Sequence, residues 1–179
     1  LTLTVTATVG TGVASVSNTA TLTTAPGDTD PVPANNTATD TDTVLGTIVI
    51  VKDAIPDGPQ DFSFTTTGGS GLPATFDLDD DPTDATLPNS RTFYVTPGAT
   101  VYTVKEAALP SGWTQSSVSC TSGGTVASGT ASITVAAGQT VTCTFTNAKT
   151  PTVKVQKVTL GRTGGPFTFT QTNLASAPA

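Results

Sequence analysis

The alternation of threonine with apolar residues constrains this chain more than any other feature. Leu1-Thr2-Leu3-Thr4-Val5-Thr6-Ala7-Thr8-Val9 is a period-two run, the pattern of a half-buried strand. Threonine is β-branched, and its hydroxyl keeps an outer strand face wet without charge. Thr47-Ile48-Val49-Ile50-Val51 is apolar on both faces and reads as a central strand. Shorter strands are predicted at Phe62-Ser63-Phe64, Phe93-Tyr94-Val95, Val101-Tyr102-Thr103-Val104, Ile133-Thr134-Val135 and Val141-Thr142-Cys143-Thr144-Phe145. Breakers separate them, among them Pro56-Asp57-Gly58-Pro59, Gly68-Gly69, Pro97-Gly98 and Gly123-Gly124. Short strands at this spacing, with turn residues between, predict an all-β sandwich or small barrel. No long helix is expected; Lys105 to Leu109 supports one turn at most before Pro110. Charged residues make up only 11% of the chain, and that low charge sets it apart from disordered sequences.

An internal repeat divides the chain. Thr47-Ile48-Val49-Ile50-Val51-Lys52 matches Thr152-Val153-Lys154-Val155-Gln156-Lys157 at an offset of 105 residues, and Phe62-Ser63-Phe64-Thr65 matches Phe167-Thr168-Phe169-Thr170 at the same offset. Residues 47–150 are therefore expected to form one complete sandwich. Residues 151–179 are expected to be the first strands of a second copy. Residues 1–46 differ: a strand at Val16 to Leu22, a Pro/Asn/Asp loop from Asp28 to Asn36, and a Thr/Asp-rich strand from Thr37 to Val44. Tandem modules of this kind build extended stalks and fibres.

Several function classes are excluded or disfavoured. The net charge is −6, which argues against a nucleic-acid partner. No apolar run approaches the roughly 18 residues of a membrane span. There is no histidine, so the commonest general base is missing. No Gly-x-Ser-x-Gly elbow or phosphate-binding glycine loop is present. The expectation is a chain that is not an enzyme and needs no cofactor. The chain contains no Met and opens in a strand-like run, so an internal or processed part of a longer polypeptide is expected.

Two resemblances sharpen this reading. Ile48-Val49-Ile50-Val51-Lys52-Asp53, Tyr102-Thr103-Val104-Lys105-Glu106-Ala107-Ala108-Leu109-Pro110-Ser111-Gly112-Trp113 and Thr144-Phe145-Thr146-Asn147 together resemble the prealbumin-like Cna-B/SpaA family of bacterial surface proteins. The resemblance implies a seven-stranded Greek-key sandwich serving as a stalk or pilin domain. It also implies a self-made isopeptide bond between a first-strand Lys and a last-strand Asn, promoted by a Glu. Here these would be Lys52, Asn147 and Glu106. Asn18-Thr19-Ala20-Thr21 with Pro33-Ala34-Asn35-Asn36-Thr37-Ala38-Thr39-Asp40 resembles the ending of the conserved-repeat (DUF11) family of immunoglobulin-like surface domains, which would make 1–46 the closing part of such a domain.

Strand parity tests the trio independently. Side chains alternate faces with period two, so Lys52 shares a face with Ile48 and Ile50, Glu106 with Tyr102 and Val104, and Asn147 with Cys143 and Phe145. All three point to the apolar side. The alternative reading is an ion pair of Lys52 and Glu106 at the rim, with Asn147 capping a turn. Lys157 repeats the Lys52 position. Cys120 and Cys143, an even pair in an apparently secreted chain, read as a disulfide; the alternative is two buried thiols. Asp77-Leu78-Asp79-Asp80-Asp81 with Asp84 reads as a solvated acidic loop, and a Ca²⁺ site at Asp77, Asp79 and Asp81 is the alternative. Trp113 reads as an aromatic closing one end of the sandwich, or as a ligand platform.

The functional expectation is a structural repeat unit of an extracellular bacterial filament, pilus-like fibre or surface stalk. Its partners would be copies of itself or neighbouring repeats, joined head to tail by strand complementation; the alternative is that the incomplete ends are a window of a longer tandem array. The alternative is an adhesin module binding carbohydrate or a host protein through loops.

Overall fold

A computed structural model of the chain describes residues 4, 6, 8–10, 12–83, 86–161, 164–166, 168 and 170. Among them there are eleven strands and no α-helix. The first two, β1 (Ser15–Thr21) and β2 (Thr37–Thr43), form an antiparallel hairpin by themselves. A 3-10 turn at Pro33–Asn35 closes the Pro-rich loop between them. Every residue of both strands is exposed. Ser15, Ser17, Thr19 and Thr21 pair with Thr43, Thr41, Thr39 and Thr37, so one face of the hairpin carries only hydroxyls. Ser17 and Thr41 hydroxyls lie 2.7 Å apart.

The remaining nine strands make the sandwich. They are β3 (Gly46–Ile55), β4 (Phe62–Thr67), β5 (Thr75–Leu78), β6 (Ser90–Val95), β7 (Tyr102–Glu106), β8 (Trp113–Cys120), β9 (Gly124–Ala127), β10 (Thr130–Ile133) and β11 (Thr140–Lys149). One sheet has the order β6-β3-β11-β8 and the other β5-β4-β7-β10-β9. The family expectation of seven strands is corrected to nine. The short strands β5 and β9 extend the second sheet at its two ends, each held by one hairpin partner.

Period-two chemistry fills the core. In β3, Ile48, Ile50, Lys52 and Ala54 point inward, while Thr47, Val49, Val51 and Asp53 point outward and stay half-exposed. In β11, Val141, Cys143, Phe145 and Asn147 point inward. Phe62, Phe64, Tyr102 and Val104 face them from the second sheet. Phe64 stacks on Phe76 at 5.0 Å and meets Phe145 edge-on at 5.2 Å, joining the two sheets. Between inward positions, Thr142, Thr144 and Thr146 decorate the outer face of β11.

β3 and β11 are parallel neighbours over nine registered pairs, from Thr140 opposite Thr47 to Ala148 opposite Ile55. Parallel neighbours need a long crossover, and here the whole sandwich is that crossover. At the start of β3 the hairpin is tied to the sandwich. Gly12 N donates to Ala137 O and Gly138 N donates to Leu45 O, both at 3.1 Å.

Two sequence expectations differ from the structure. The described residues of the 1–9 run (4, 6, 8 and 9) are not in a strand, and its other residues lie outside the described set. Residues 151–161 run as exposed chain without strand pairing. Their counterpart β3 is held by β6 and β11, whereas among the described residues 152–157 take part in no strand ladder. Phe167 and Phe169 lie outside the described residues.

Cys120 and Cys143 face each other directly across β8 and β11 and form a disulfide. It closes a loop with a sequence separation of 23. Replacing both cysteines with serine is expected to cost about 3 kcal/mol of unfolding free energy through loop-closure entropy. Urea denaturation of the wild type, oxidised and reduced, beside the double variant measures this.

Candidate functional site: a buried Lys–Glu–Asn cluster

Lys52, Glu106 and Asn147 come together inside the sandwich. Lys52 is 1% exposed and Asn147 0%. The parallel register brings the first two together: Phe145 lies opposite Lys52 and Asn147 opposite Ala54, with the outward pair Thr146 and Asp53 between. Lys52 and Asn147 thus share the inner face, two register pairs apart along the ladder. Glu106, the last residue of β7, enters from the facing sheet. Its Oε1 stands 3.7 Å from Lys52 Nζ. The pair is therefore in the core and not at the rim, which corrects the rim alternative. Asn147 lies in a strand and caps no turn.

The ammonium is well surrounded. Lys52 Nζ donates to Asp53 O at 2.8 Å and to Phe145 O at 3.0 Å. It also lies 4.1 Å from the Phe62 ring centre. Glu106 is held on one side only, where Gln115 Nε2 donates to Oε2 at 2.9 Å. Its Oε1 accepts no hydrogen bond. Asn147 is less satisfied still. Its amide approaches Glu106 closely enough to favour the ionised carboxylate, yet among the described residues neither its nitrogen nor its oxygen reaches hydrogen-bonding geometry with a partner. Buried amide atoms without partners cost free energy and are rare.

Burial moves both ionisable groups toward neutrality. It pushes the Lys52 amine below its ordinary range, against the opposing pull of Glu106, Asp53 and Asp80. It pushes the Glu106 carboxyl up, against the Lys52 charge and the side chains that bond it. Desolvation of the charged form is the dominant cause in both.

The sequence reading did not foresee Gln115. β8 carries a bulge against β11 between Thr146 and Asn147, so that Thr146 faces Ser117 and Asn147 faces Gln115. The extra residue, Ser116, puts Gln115 in register with Asn147 and within reach of Glu106. Gly129 permits this. Its φ is +74°, and a Cβ there would collide with the Gln115 amide oxygen. A bulge has no local sequence signature here; the glycine in the β9–β10 turn was its only trace.

The other sequence-singled residues fall elsewhere. Asp77, Asp79 and Asp81 do not converge on one point. Asp77 faces solvent from β5 and accepts from Ser63 Oγ at 2.6 Å. Asp79 Oδ1 accepts from Asp81 N at 3.0 Å, and Asp81 Oδ1 accepts from Thr83 N and Oγ1 at 2.7 Å. Asp84 lies outside the described residues. Among the described residues no group of three or more His, Cys, Asp or Glu side chains is placed to hold one metal ion. Trp113 packs edge-on against Phe62 at 5.3 Å, with Lys149 Nζ 5.9 Å from its ring centre. It is a largely buried end cap, with a cleft of about 210 Å³ beside it lined by Pro56, Pro59 and Gln60.

Asp79 gives a pH prediction. It is 1% exposed, its Oδ2 has no partner, and burial raises its pKa above the ordinary 3.8. Folded Asp79 then holds its proton more tightly than unfolded Asp79. Its contribution favours the folded state in acid and is lost as pH rises from about 3.8 through the raised value. Asp79→Asn keeps the Oδ1 acceptor and removes the charge. Its Tm is expected to exceed that of the wild type at pH 7, with the difference vanishing near pH 3. Calorimetry across that range checks it; an equal or lower Tm at pH 7 contradicts it.

Among the described residues, no helix is long and apolar enough to cross a membrane. Residues 48–149, more than half of the chain, match the family model of the SpaA-type prealbumin-like fold domain. No curated protein and no solved structure matches the chain. The match begins two residues into β3 and ends with β11, and so coincides with the sandwich. This chain belongs to the SpaA-type prealbumin-like fold family.

Proposed function

We propose that this chain is a load-bearing module of an extracellular bacterial fibre or surface stalk, clamped by an isopeptide bond between Lys52 and Asn147. The observation that carries the reading is the parallel pairing of β3 with β11. Chain enters the module at Gly46 and leaves at Lys149, at opposite ends of one ladder. Tension applied through the neighbours loads nine registered pairs together in shear and does not peel them one by one. A bond from Lys52 to Asn147 takes residues 53–146 out of the load path. Copies follow one another head to tail in the fibre, in keeping with the repeat of the β3 sequence at residues 152–157.

The chemistry of closure follows from the burial. A neutral Lys52 Nζ attacks Asn147 Cγ, forming the new C–N bond. Protonated Glu106 polarises the amide oxygen, takes a proton from the attacking amine and delivers one to the leaving nitrogen. The Cγ–Nδ2 bond breaks, ammonia departs, and an amide remains. Burial favours the neutral form of both partners. The reaction also consumes an amide nitrogen that has no hydrogen bond.

Intact mass spectrometry of the reduced chain tests the bond. A mass about 17 Da below the sequence mass, from loss of one ammonia, is expected. Asn147→Ala and Glu106→Ala should restore the full mass apart from the substitution. An unshifted wild-type mass overturns the clamp. In Asn147→Ala, which cannot close the bond, Lys52 still titrates. Because its folded pKa is lowered, that variant's stability should rise with pH through the window from the lowered value up to 10.5. Denaturant unfolding at pH 7 and pH 10 reads this, and the bonded wild type should lack the rise.

A further inference from the structure

The edge strand β8 walls one side of the Lys–Glu–Asn cluster. It stands at the end of its sheet, and among the described residues its ladder partner is β11. Two of its inward side chains back the cluster. Trp113 meets the Phe62 ring edge-on, and the Lys52 amine lies 4.1 Å from the centre of that same ring. Gln115, two residues on, is half-buried and bonds Glu106 directly. The Trp113 contact is apolar packing. The Gln115 contact is a directed hydrogen bond, and the closure chemistry proposed above gives it no task.

That bond makes the two oxygens of Glu106 unequal. Oε2 accepts from Gln115 Nε2 at 2.9 Å. Oε1 stands 3.7 Å from Lys52 Nζ and among the described residues accepts no hydrogen bond. Glu106 is the last residue of β7, and its carboxyl is carried on rotatable bonds. A hydrogen bond to one oxygen stops that rotation. It also places the proton, because the carbonyl oxygen of a carboxylic acid is its better acceptor and the hydroxyl is then the other oxygen. The Gln115 amide is itself aimed. Its oxygen lies where a Cβ on Gly129 would collide with it, and its nitrogen is turned to Glu106.

We infer that Gln115 is a positioning residue for closure of the clamp, holding Glu106 so that Oε1 carries the acid's proton and faces Lys52 and Asn147. Neutral Lys52 Nζ bonds to Asn147 Cγ. Glu106 gives its Oε1 proton to the leaving nitrogen and recovers one from the attacking amine. The Cγ–Nδ2 bond breaks, ammonia leaves, and Glu106 ends protonated as it began. This rests on the clamp reading of the proposed function and adds the residue that aims its acid.

Positioning and electrostatics predict opposite signs, which makes the inference testable. A hydrogen bond to the charged form of a carboxyl favours that form, and Gln115 acts on Glu106 in this sense. Lys52 from β3 is the charged group that acts on Glu106, while β11 and β8 bring the neutral amides of Asn147 and Gln115, and β4 places Phe64 opposite it. Removing the Gln115 donor therefore leaves more Glu106 protonated. By that effect alone closure would quicken, and only the loss of aim slows it.

The full chain, isolated unfolded before it has closed and then refolded, is followed in time by intact mass after reduction, from about pH 5 to 10. Gln115→Met, which keeps the length of the side chain and removes the donor, is expected to lose ammonia about ten- to a hundredfold more slowly than the wild type, the scale of misplacing a reacting group by about 1 Å. The high-pH limb of its rate profile should move to higher pH. Gln115→Asn, whose amide is one methylene short, should slow closure as well. In the Asn147→Ala background, which cannot close, Gln115→Met should leave the Tm unchanged. A Tm that falls in step with the rate marks a structural role and overturns the inference, as does closure by Gln115→Met at the wild-type rate or faster; both leave the clamp standing. A wild-type chain that never loses about 17 Da overturns the clamp and this inference together.

Discussion

The adjacency of β3 and β11 is the constraint on which the rest of this structure depends. They are the first and last strands of the sandwich, and they run parallel. A parallel pair cannot be made by a hairpin, so everything between them must travel out and return. The seven intervening strands do so by building the facing sheet and the flanks β6 and β8. The same adjacency fixes the chemistry. Two residues nearly a hundred positions apart in sequence, Lys52 and Asn147, land on one face of adjoining strands. A slip of one residue in either strand would turn its side chain outward, and the buried cluster would vanish with the core.

Much of this was legible because period two is a local property. The inward set Ile48, Ile50, Lys52 and the inward set Val141, Cys143, Phe145, Asn147 follow from alternation alone. Parity therefore placed a lysine and an asparagine inside before any pairing was known. Cys120 opposite Cys143 was legible from count and context. What escaped was non-local. The β8 bulge that aligns Gln115 depends on the register between two strands. The burial of Asp79 was also missed. Its run reads as a charged loop, but Asp79 N donates to Pro88 O, and the side chain is buried. The strands β5 and β9 were missed because four-residue strands carry too little pattern.

The chain has few charges, and it places them unevenly. Two of the buried ones, Lys52 and Glu106, meet each other. Among the described residues the third, Asp79, meets no countercharge, and one of its oxygens has no hydrogen-bond partner. The outer faces are paved with hydroxyls instead. Thr67 and Thr103 bond across β4 and β7 at 2.6 Å, and Thr146 donates to Asp53 across β11 and β3 at 3.0 Å. Hydroxyls keep a strand face solvated while leaving few Lys or Arg side chains exposed on the sandwich. Lys52 lies inside the sandwich and adds no charge to its surface.

Such a surface has a consequence for association. A sheet edge recruits other chains through its backbone, and charge at the edge is the usual guard. In the second sheet of the sandwich the guard is length: its outer strands β5 and β9 have four residues each. The hairpin lacks that guard. Its strands are seven residues long and uncovered, and its only charges are of one sign. A like-charged edge repels another copy of itself and so suppresses hairpin-to-hairpin pairing.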